Sequence, residues 1–269
     1  MTMREAFPLG GRWRGEAATD EGAPSARATG GHKGRPYTAE GTAQTGTHQN
    51  RRSNAMRKTF DAELQELNYE MIDMAAAAED AIDVVTESLT TGDAEAAKSA
   101  VEMTKSMDQM ERDIENRCLR LLLQQQPVAR DLRTISAALQ MVTDLQRIGD
   151  QCANIAEIAL LLKAQKQTQS LADIRTMSQK AGIMVKRAIF SYVNRDTDAA
   201  KAVIALDDEV DEYFRTIKGE LVELIVENRE EADQAIDLII ITKYLERIAD
   251  HAVNIAQWAI FCVTGEILG

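Results

Sequence analysis

The chain of 269 residues carries 43 acidic and 31 basic residues, which gives a formal net charge of −12. This balance repels nucleic acid and anionic lipid, so no nucleic-acid partner is expected. The longest apolar runs, such as IALLL and AIFCV, are far shorter than the roughly 18 residues that a membrane-spanning helix needs, so no direct membrane insertion is expected.

Residues 1–55 differ in composition from the rest of the chain. They hold three of the four prolines and nine of the fifteen glycines, and they show no apolar periodicity. A segment of this kind does not bury enough apolar surface to offset the entropy lost on ordering. We therefore expect residues 1–55 to be a disordered tail or a non-native extension, with the folded protein starting at Met56.

From residue 60 to residue 267 the pattern is helical throughout. Apolar residues recur three and four positions apart, with strong helix-forming residues between them. Five polar segments interrupt this pattern, which predicts six helices. These segments are TTGD at 90–93, QQQPVARD at 124–131, KQTQS at 166–170, NRDTD at 194–198 and ENREEAD at 227–233.

The second half of this helical region repeats the first. Apolar residues of the first two helices coincide with apolar residues 103 positions later, and the third helix repeats at an offset of 100. Asp93 and Asp196 open the matching segments DAEAAK and DTDAAK and are suited to cap helix N-termini. Long helices joined by short turns pack as antiparallel neighbours. The sequence therefore predicts an all-α fold of two tandem-repeat three-helix bundles side by side, over 56–166 and 167–269.

The three cysteines are Cys118, Cys152 and Cys262. They are odd in number, widely spaced and embedded in the apolar helical pattern, and no metal-type Cys-x-x-Cys spacing occurs. This usage is typical of a reducing compartment, so we expect a cytoplasmic protein.

Two twelve-residue segments repeat with unusual fidelity. They read LQRIGDQCANIA at 145–156 and LERIADHAVNIA at 245–256. At about 100° per residue, the apolar residues of each segment face the bundle and a polar stripe faces outward. Arginine, aspartate and asparagine recur at equivalent positions of this outer part, and core packing does not account for outward polar identities.

Two readings of the polar stripe remain open on the residues alone. Glu246 and Asp250 lie one turn apart, with Cβ atoms about 5 to 6 Å from each other, and a cation between them would relieve their repulsion. Alternatively the stripe is an ordinary solvated face, on which Arg247 pairs with Asp250 and Arg147 pairs with Asp150.

These segments, together with QQQPVARDLRTISAALQ at 124–140 and DDEVDEYFRTIKGELVELI at 207–225, closely resemble the PhoU family of phosphate-signalling accessory proteins. The resemblance covers essentially all of 56–269. It implies a cytoplasmic homodimer that is an accessory protein and negative regulator of phosphate uptake and of the phosphate-starvation response. The partners it implies are the ATPase subunit of the phosphate ABC transporter and the phosphate sensor histidine kinase, between which the protein would act as an adaptor.

The resemblance also implies bound metal. Some family members bind multinuclear clusters of iron or zinc, or Mg²⁺ or Mn²⁺, through an acidic Glu/Asp-x-x-x-Asp motif in each bundle. Glu246 and Asp250 match the motif in the second bundle, whereas in the first bundle Gln146 replaces the acid that precedes Asp150. A neutral amide oxygen binds a hard cation more weakly than a carboxylate does, so we expect the first site to be weaker or absent.

Four other residues are candidate metal ligands. Asn154 and Asn254 continue the outer stripes, and Asp108 and Asp211 occupy equivalent positions on the second helix of each repeat. The acids of the second helices would contribute only if packing brings them beside the stripes.

Two alternative functions fit the sequence less well. A metal-dependent helical-bundle enzyme would place carboxylates and histidines inside a bundle, and the Glu-x-x-His pattern of di-iron bundles is missing. A metal-free structural helical protein would leave the repeated outward aspartate and asparagine without a role. We therefore expect a regulatory protein without catalytic residues.

Overall fold

The computed structural model describes residues 43–125, 127–162 and 169–267 of the chain. No strand occurs within these ranges. The predicted all-α class and the six helices are confirmed. The helices are α1 (Ala43–Thr91), α2 (Ala94–Gln125), α3 (Ala129–Leu161), α4 (Gln169–Asn194), α5 (Thr197–Glu227) and α6 (Ala232–Thr264), with a 3₁₀ turn at Arg229–Glu231 before α6.

The chain divides into two units, Met1–Thr59 and Phe60–Gly269. Of the tail predicted from composition, residues 1–42 lie outside the described residues. Residues 43–55 are helical and form the start of α1, which corrects the expectation of disorder for this part of the tail. Extending a helix costs far less than starting one, and this segment contains no proline to end it. The following description concerns Phe60–Gly269.

The predicted helix caps form at equivalent places in the two repeats. The Asp93 carboxylate accepts the backbone N–H groups two and three residues further on, at 2.9 and 3.3 Å. The Asp196 carboxylate accepts the equivalent two groups at 3.0 and 2.9 Å. Both caps satisfy N–H groups that the first turn of a helix leaves without an intrahelical partner.

The six helices form the two predicted three-helix bundles. In the second bundle α4, α5 and α6 all pack against one another, and in the first bundle α2 packs against α3. The α1 helix joins the first bundle through Arg117 of α2, which forms ion pairs with Glu63 and Glu70 of α1. The bundles meet where α3 packs against α6 and where Lys186 of α4 forms an ion pair with Glu79 of α1.

The central helices α3 and α6 run antiparallel to each other. Thr134 near the start of α3 contacts Cys262 near the end of α6, and Asp144 contacts His251 further along. About one turn beyond the Asp144–His251 contact lie Ile148 and its repeat equivalent Ile248, which are both fully buried. The two bundles are thus related by an approximate twofold axis that passes close to these isoleucines.

The three cysteines are free and buried, as their apolar sequence surroundings predict. Burial raises the pKa of the Cys118 and Cys152 thiols to about 12, which leaves almost no reactive thiolate near neutral pH. None of the described helices combines the length and the apolarity needed to cross a membrane.

Candidate functional site

The second repeat brings four carboxylates together where α5 packs against α6. Asp207 and Asp211 lie one turn apart on α5, and Glu246 and Asp250 lie one turn apart on α6. Residues four apart share a helix face, and the charge of Asp211 acts on Asp250 while that of Asp250 acts on Asp207. The two acidic faces are therefore adjacent. We call these four residues the carboxylate cluster.

The electrostatics of the carboxylate cluster disfavour its full ionisation. Burial is the main cause that raises the pKa of Asp207 to about 6, and repulsion from neighbouring carboxylates, Asp250 foremost, adds to it. Burial and the charge of Glu246 also raise the pKa of Asp250, which Lys243 lowers in part. Lys243 forms an ion pair with Glu246. One ammonium group thus compensates only part of the negative charge at this place.

One oxygen of the carboxylate cluster is left without a partner. Asp207 Oδ1 is buried and has no hydrogen-bond partner among the described residues. Leaving a buried polar group unsatisfied costs about 1 to 3 kcal/mol. A hard divalent cation such as Mg²⁺ or Mn²⁺ binds oxygen ligands of this kind and would both satisfy the oxygen and offset the repulsion.

The four side chains of the carboxylate cluster are not yet arranged as the ligands of a single ion. In the described ranges, no three His, Cys, Asp or Glu side chains are arranged to hold a metal ion. The four acids fit a hard cation in chemical type and in charge. Binding would require their carboxylates to turn toward a shared ion.

The equivalent place in the first repeat has a different arrangement. Gln146 of α3 donates its amide nitrogen Nε2 to Asp108 Oδ1 of α2 at 3.3 Å and to Asp150 Oδ1 at 2.9 Å. Packing therefore brings the aspartate of the second helix beside the polar stripe, which is the condition for that aspartate to act as a ligand. We call Asp108, Gln146 and Asp150 the amide-bridged cluster.

The ion-pair reading of the stripe applies to one repeat only. Arg147 forms an ion pair with Asp150 at 3.2 Å. Its equivalent Arg247 instead lies over the ring of Tyr244, at 5.9 Å from the ring centroid. In the second repeat the charge of Asp250 is therefore not compensated in the way that Arg147 compensates Asp150.

The asparagine of the second stripe contacts the first repeat. Asn254 donates its amide to Asp144 Oδ1 of α3 at 3.3 Å, and His251 Nδ1 lies 2.9 Å from the same oxygen. These contacts link the two repeats. Asn154 is half-buried on α3.

Sequence reasoning missed Asp207 and Asp144. Asp207 stands four residues before Asp211, and this is the same acid spacing as Glu246 and Asp250, so a search for every Glu/Asp-x-x-x-Asp would have found it. It was missed because its repeat equivalent is Thr104, a residue that carries no charge. No sequence signal identifies Asp144, because its role depends on how α3 meets α6.

Comparison with known proteins adds the family relationships. The family model described as the PhoU domain matches the chain twice, over residues 71–159 and 174–259. A Clostridium acetobutylicum protein described as a phosphate-specific transport system accessory protein PhoU homolog is 35% identical over 211 residues, which cover 78% of this chain and 96% of that protein. The homolog of the same description from Aquifex aeolicus is 38% identical over 206 residues, 77% of this chain and 93% of that protein. The crystal structure of PhoU from Pseudomonas aeruginosa aligns with a TM-score of 0.73 at 31% identity, over 77% of this chain and 100% of that chain. Each matched segment contains one of the two clusters.

Proposed function

The chain belongs to the PhoU family, and from this premise we propose that it is an accessory protein of phosphate transport. It acts as a negative regulator of phosphate uptake and of the phosphate-starvation response, without catalysing a reaction. The observation that carries this proposal is the PhoU domain match in both repeats. The names of relatives that align over almost their whole length support the same role.

The regulation proceeds by protein contacts in this proposal. The protein is a cytoplasmic homodimer that connects the ATPase subunit of the phosphate ABC transporter with the phosphate sensor histidine kinase. Its net charge of −12 favours partners with basic surfaces.

Exposed apolar residues at repeated positions support a contact role. Leu119 and Leu123 near the end of α2 are 50% and 84% exposed. Their repeat equivalents on α5, Val222 and Val226, are 46% and 78% exposed. Paired apolar side chains on a helix surface favour association with another protein. Because an exposed apolar pair occurs at equivalent positions of both repeats, a contact surface explains it better than chance exposure of single residues does.

The carboxylate cluster binds a divalent cation in this proposal, and the bound ion orders the surface formed by α5 and α6. The unsatisfied Asp207 oxygen and the raised pKa values of Asp207 and Asp250 support it. The four acids supply carboxylate oxygens only, which favours Mg²⁺ or Mn²⁺ over softer metals.

The regulatory part is tested in a bacterial strain that lacks its own homologue and carries a phosphate-starvation reporter. Expression of the chain should restore repression when phosphate is abundant, and the chain should retain the transporter ATPase and the kinase in pull-downs. The double variant Leu123→Asp/Val226→Asp should weaken both pull-downs. Leu161→Asp is the matched control, because this leucine is 81% exposed and belongs to neither repeated pair. Unaltered reporter output with the wild-type chain, or retention of neither partner, would refute the proposed function.

The cation part is tested by Mn²⁺ and Mg²⁺ titration of protein stripped with a chelator. Asp250→Asn and Glu246→Gln should each reduce binding, whereas Glu223→Gln, an exposed change on α5, should not. Equal Mn²⁺ binding by all four proteins would exclude the carboxylate cluster as the site.

A further inference from the structure

The two repeats carry different residues at four equivalent positions. In the second repeat all four are acids, the members of the carboxylate cluster. In the first repeat the offsets of 103 and 100 place Thr104, Asp108, Gln146 and Asp150 at these positions. At these four positions the first repeat thus has two carboxylates where the second repeat has four.

The amide of Gln146 occupies the place between the two remaining carboxylates. Its nitrogen donates to Asp108 Oδ1 at 3.3 Å and to Asp150 Oδ1 at 2.9 Å. A glutamine amide nitrogen carries two hydrogens, and these two acceptors use both. The bridge connects α2 to α3 in the first repeat, as a bound cation would connect α5 to α6 in the second repeat.

The fourth position reinforces this difference. Thr104 is buried and donates its hydroxyl to the backbone carbonyl of Val101 at 2.9 Å. It therefore has a partner within its own helix, whereas the equivalent Asp207 has an oxygen with none. Arg147 adds a positive charge beside Asp150. Burial and the charges of neighbouring carboxylates, Asp108 and Asp150 among them, still raise the pKa of nearby Glu111, and Arg147 lowers it in part. In the first repeat the amide bridge and Arg147 thus offset part of the repulsion without a cation.

We propose that Gln146 is a built-in substitute for the cation, so that the chain has a single cation site, in the second repeat, and a first repeat that is held together without metal. This inference rests on the cation site in the proposed function. A cation in the first repeat would have to displace both amide hydrogen bonds, and the amide nitrogen that faces the carboxylates has no lone pair to offer as a ligand. The response of the protein to a divalent cation is consequently confined to α5 and α6.

Reciprocal exchange of the two side chains tests this inference. In metal-free buffer with a chelator, Gln146→Glu replaces a donor by a third negative charge and should lower the unfolding temperature by roughly 2 to 4 °C. Glu246→Gln makes the opposite change and should raise it. Titration with Mn²⁺ should give one equivalent for the wild type and two for Gln146→Glu, and Glu246→Gln should bind Mn²⁺ more weakly than the wild type does.

Gln146→Ala is the control that separates the bridge from the added charge. It should lower the metal-free unfolding temperature but should leave the Mn²⁺ stoichiometry at one. Two equivalents in the wild type, or an unchanged metal-free unfolding temperature in both Gln146 variants, would overturn the inference. Binding of no Mn²⁺ by the wild type would overturn the cation site and the single-site inference together, while repression of the reporter would still decide the regulatory role.

Discussion

The sharpest prediction concerns the stability effect of Asp207, whose pKa in the folded protein is raised from 3.8 to about 6. Because the folded state holds this proton more tightly than the unfolded chain does, ionisation of Asp207 destabilises the folded state. The destabilisation is absent below pH 3.8, grows as the pH rises toward 6 and is complete above it. Asp207→Asn keeps the shape of the side chain and removes the charge, so the variant should be more stable than the wild type at pH 7.5.

The size of the effect follows from the pKa shift. A shift of about two units corresponds to at most about 3 kcal/mol, and because Asp207 is only partly buried, solvent screening reduces this to about 1 kcal/mol. Urea unfolding in the presence of a chelator, at pH 7.5 and at pH 4.5, measures the difference at both ends of the titration. The advantage of Asp207→Asn should shrink at pH 4.5, and Glu223→Gln should show no such dependence. A variant that is no more stable at pH 7.5, or equally favoured at both pH values, contradicts the reasoning.

Three further predictions concern the helical scaffold. Arg117→Met should destabilise the protein by about 1 to 3 kcal/mol in urea unfolding. The reason is that the mostly buried guanidinium forms two hydrogen bonds to Glu70, of 2.6 and 2.7 Å. A loss below about 0.5 kcal/mol would show that this ion pair contributes little. Gly149→Ala places a Cβ 3.1 Å from the Met107 sulfur and should therefore lower stability. Adding Met107→Val should recover stability, with a coupling energy of at least about 0.5 kcal/mol in a double-mutant cycle. Strictly additive effects of the two substitutions would exclude this contact. Gly265, which ends α6, has φ 81°, a left-handed conformation that favours glycine. Gly265→Ala should therefore lower stability by about 1 kcal/mol in thermal unfolding. An unchanged Tm would refute this.

Apart from the start of α1, helix positions, repeat register and caps could be predicted because their signals are local. A residue spacing of three and four defines the buried face of one helix, and an aspartate that opens a helix caps it wherever the helix lies. Asp93 and Asp196 act as the sequence indicates. The pairing of Glu246 with Asp250 on one face follows from the same local geometry.

The rest of the candidate site depends on contacts between helices. The sequence contains the acid spacing of Asp207 and Asp211, but whether these two acids lie beside Glu246 and Asp250 depends on the rotation of α5 against α6. The hydrogen bonding of Gln146 is a second feature that the sequence does not predict. The sequence predicts its amide oxygen to be a weak metal ligand, whereas in the structure the amide nitrogen faces Asp108 and Asp150. Which end of an amide faces a neighbour is decided by the charges around it.

The antiparallel packing of α3 against α6 has a consequence for any half-length version of this chain. Residues 60–162 alone would expose the face of α3 that contains Ile148, which is fully buried in the intact chain. Since α6 presents an equivalent face in a twofold arrangement, a second copy of the same half could cover that surface, as in an isologous homodimer. Such self-pairing would weaken on dilution. Fusion of both halves into one polypeptide makes the contact independent of protein concentration, and it leaves each half free to diverge in sequence.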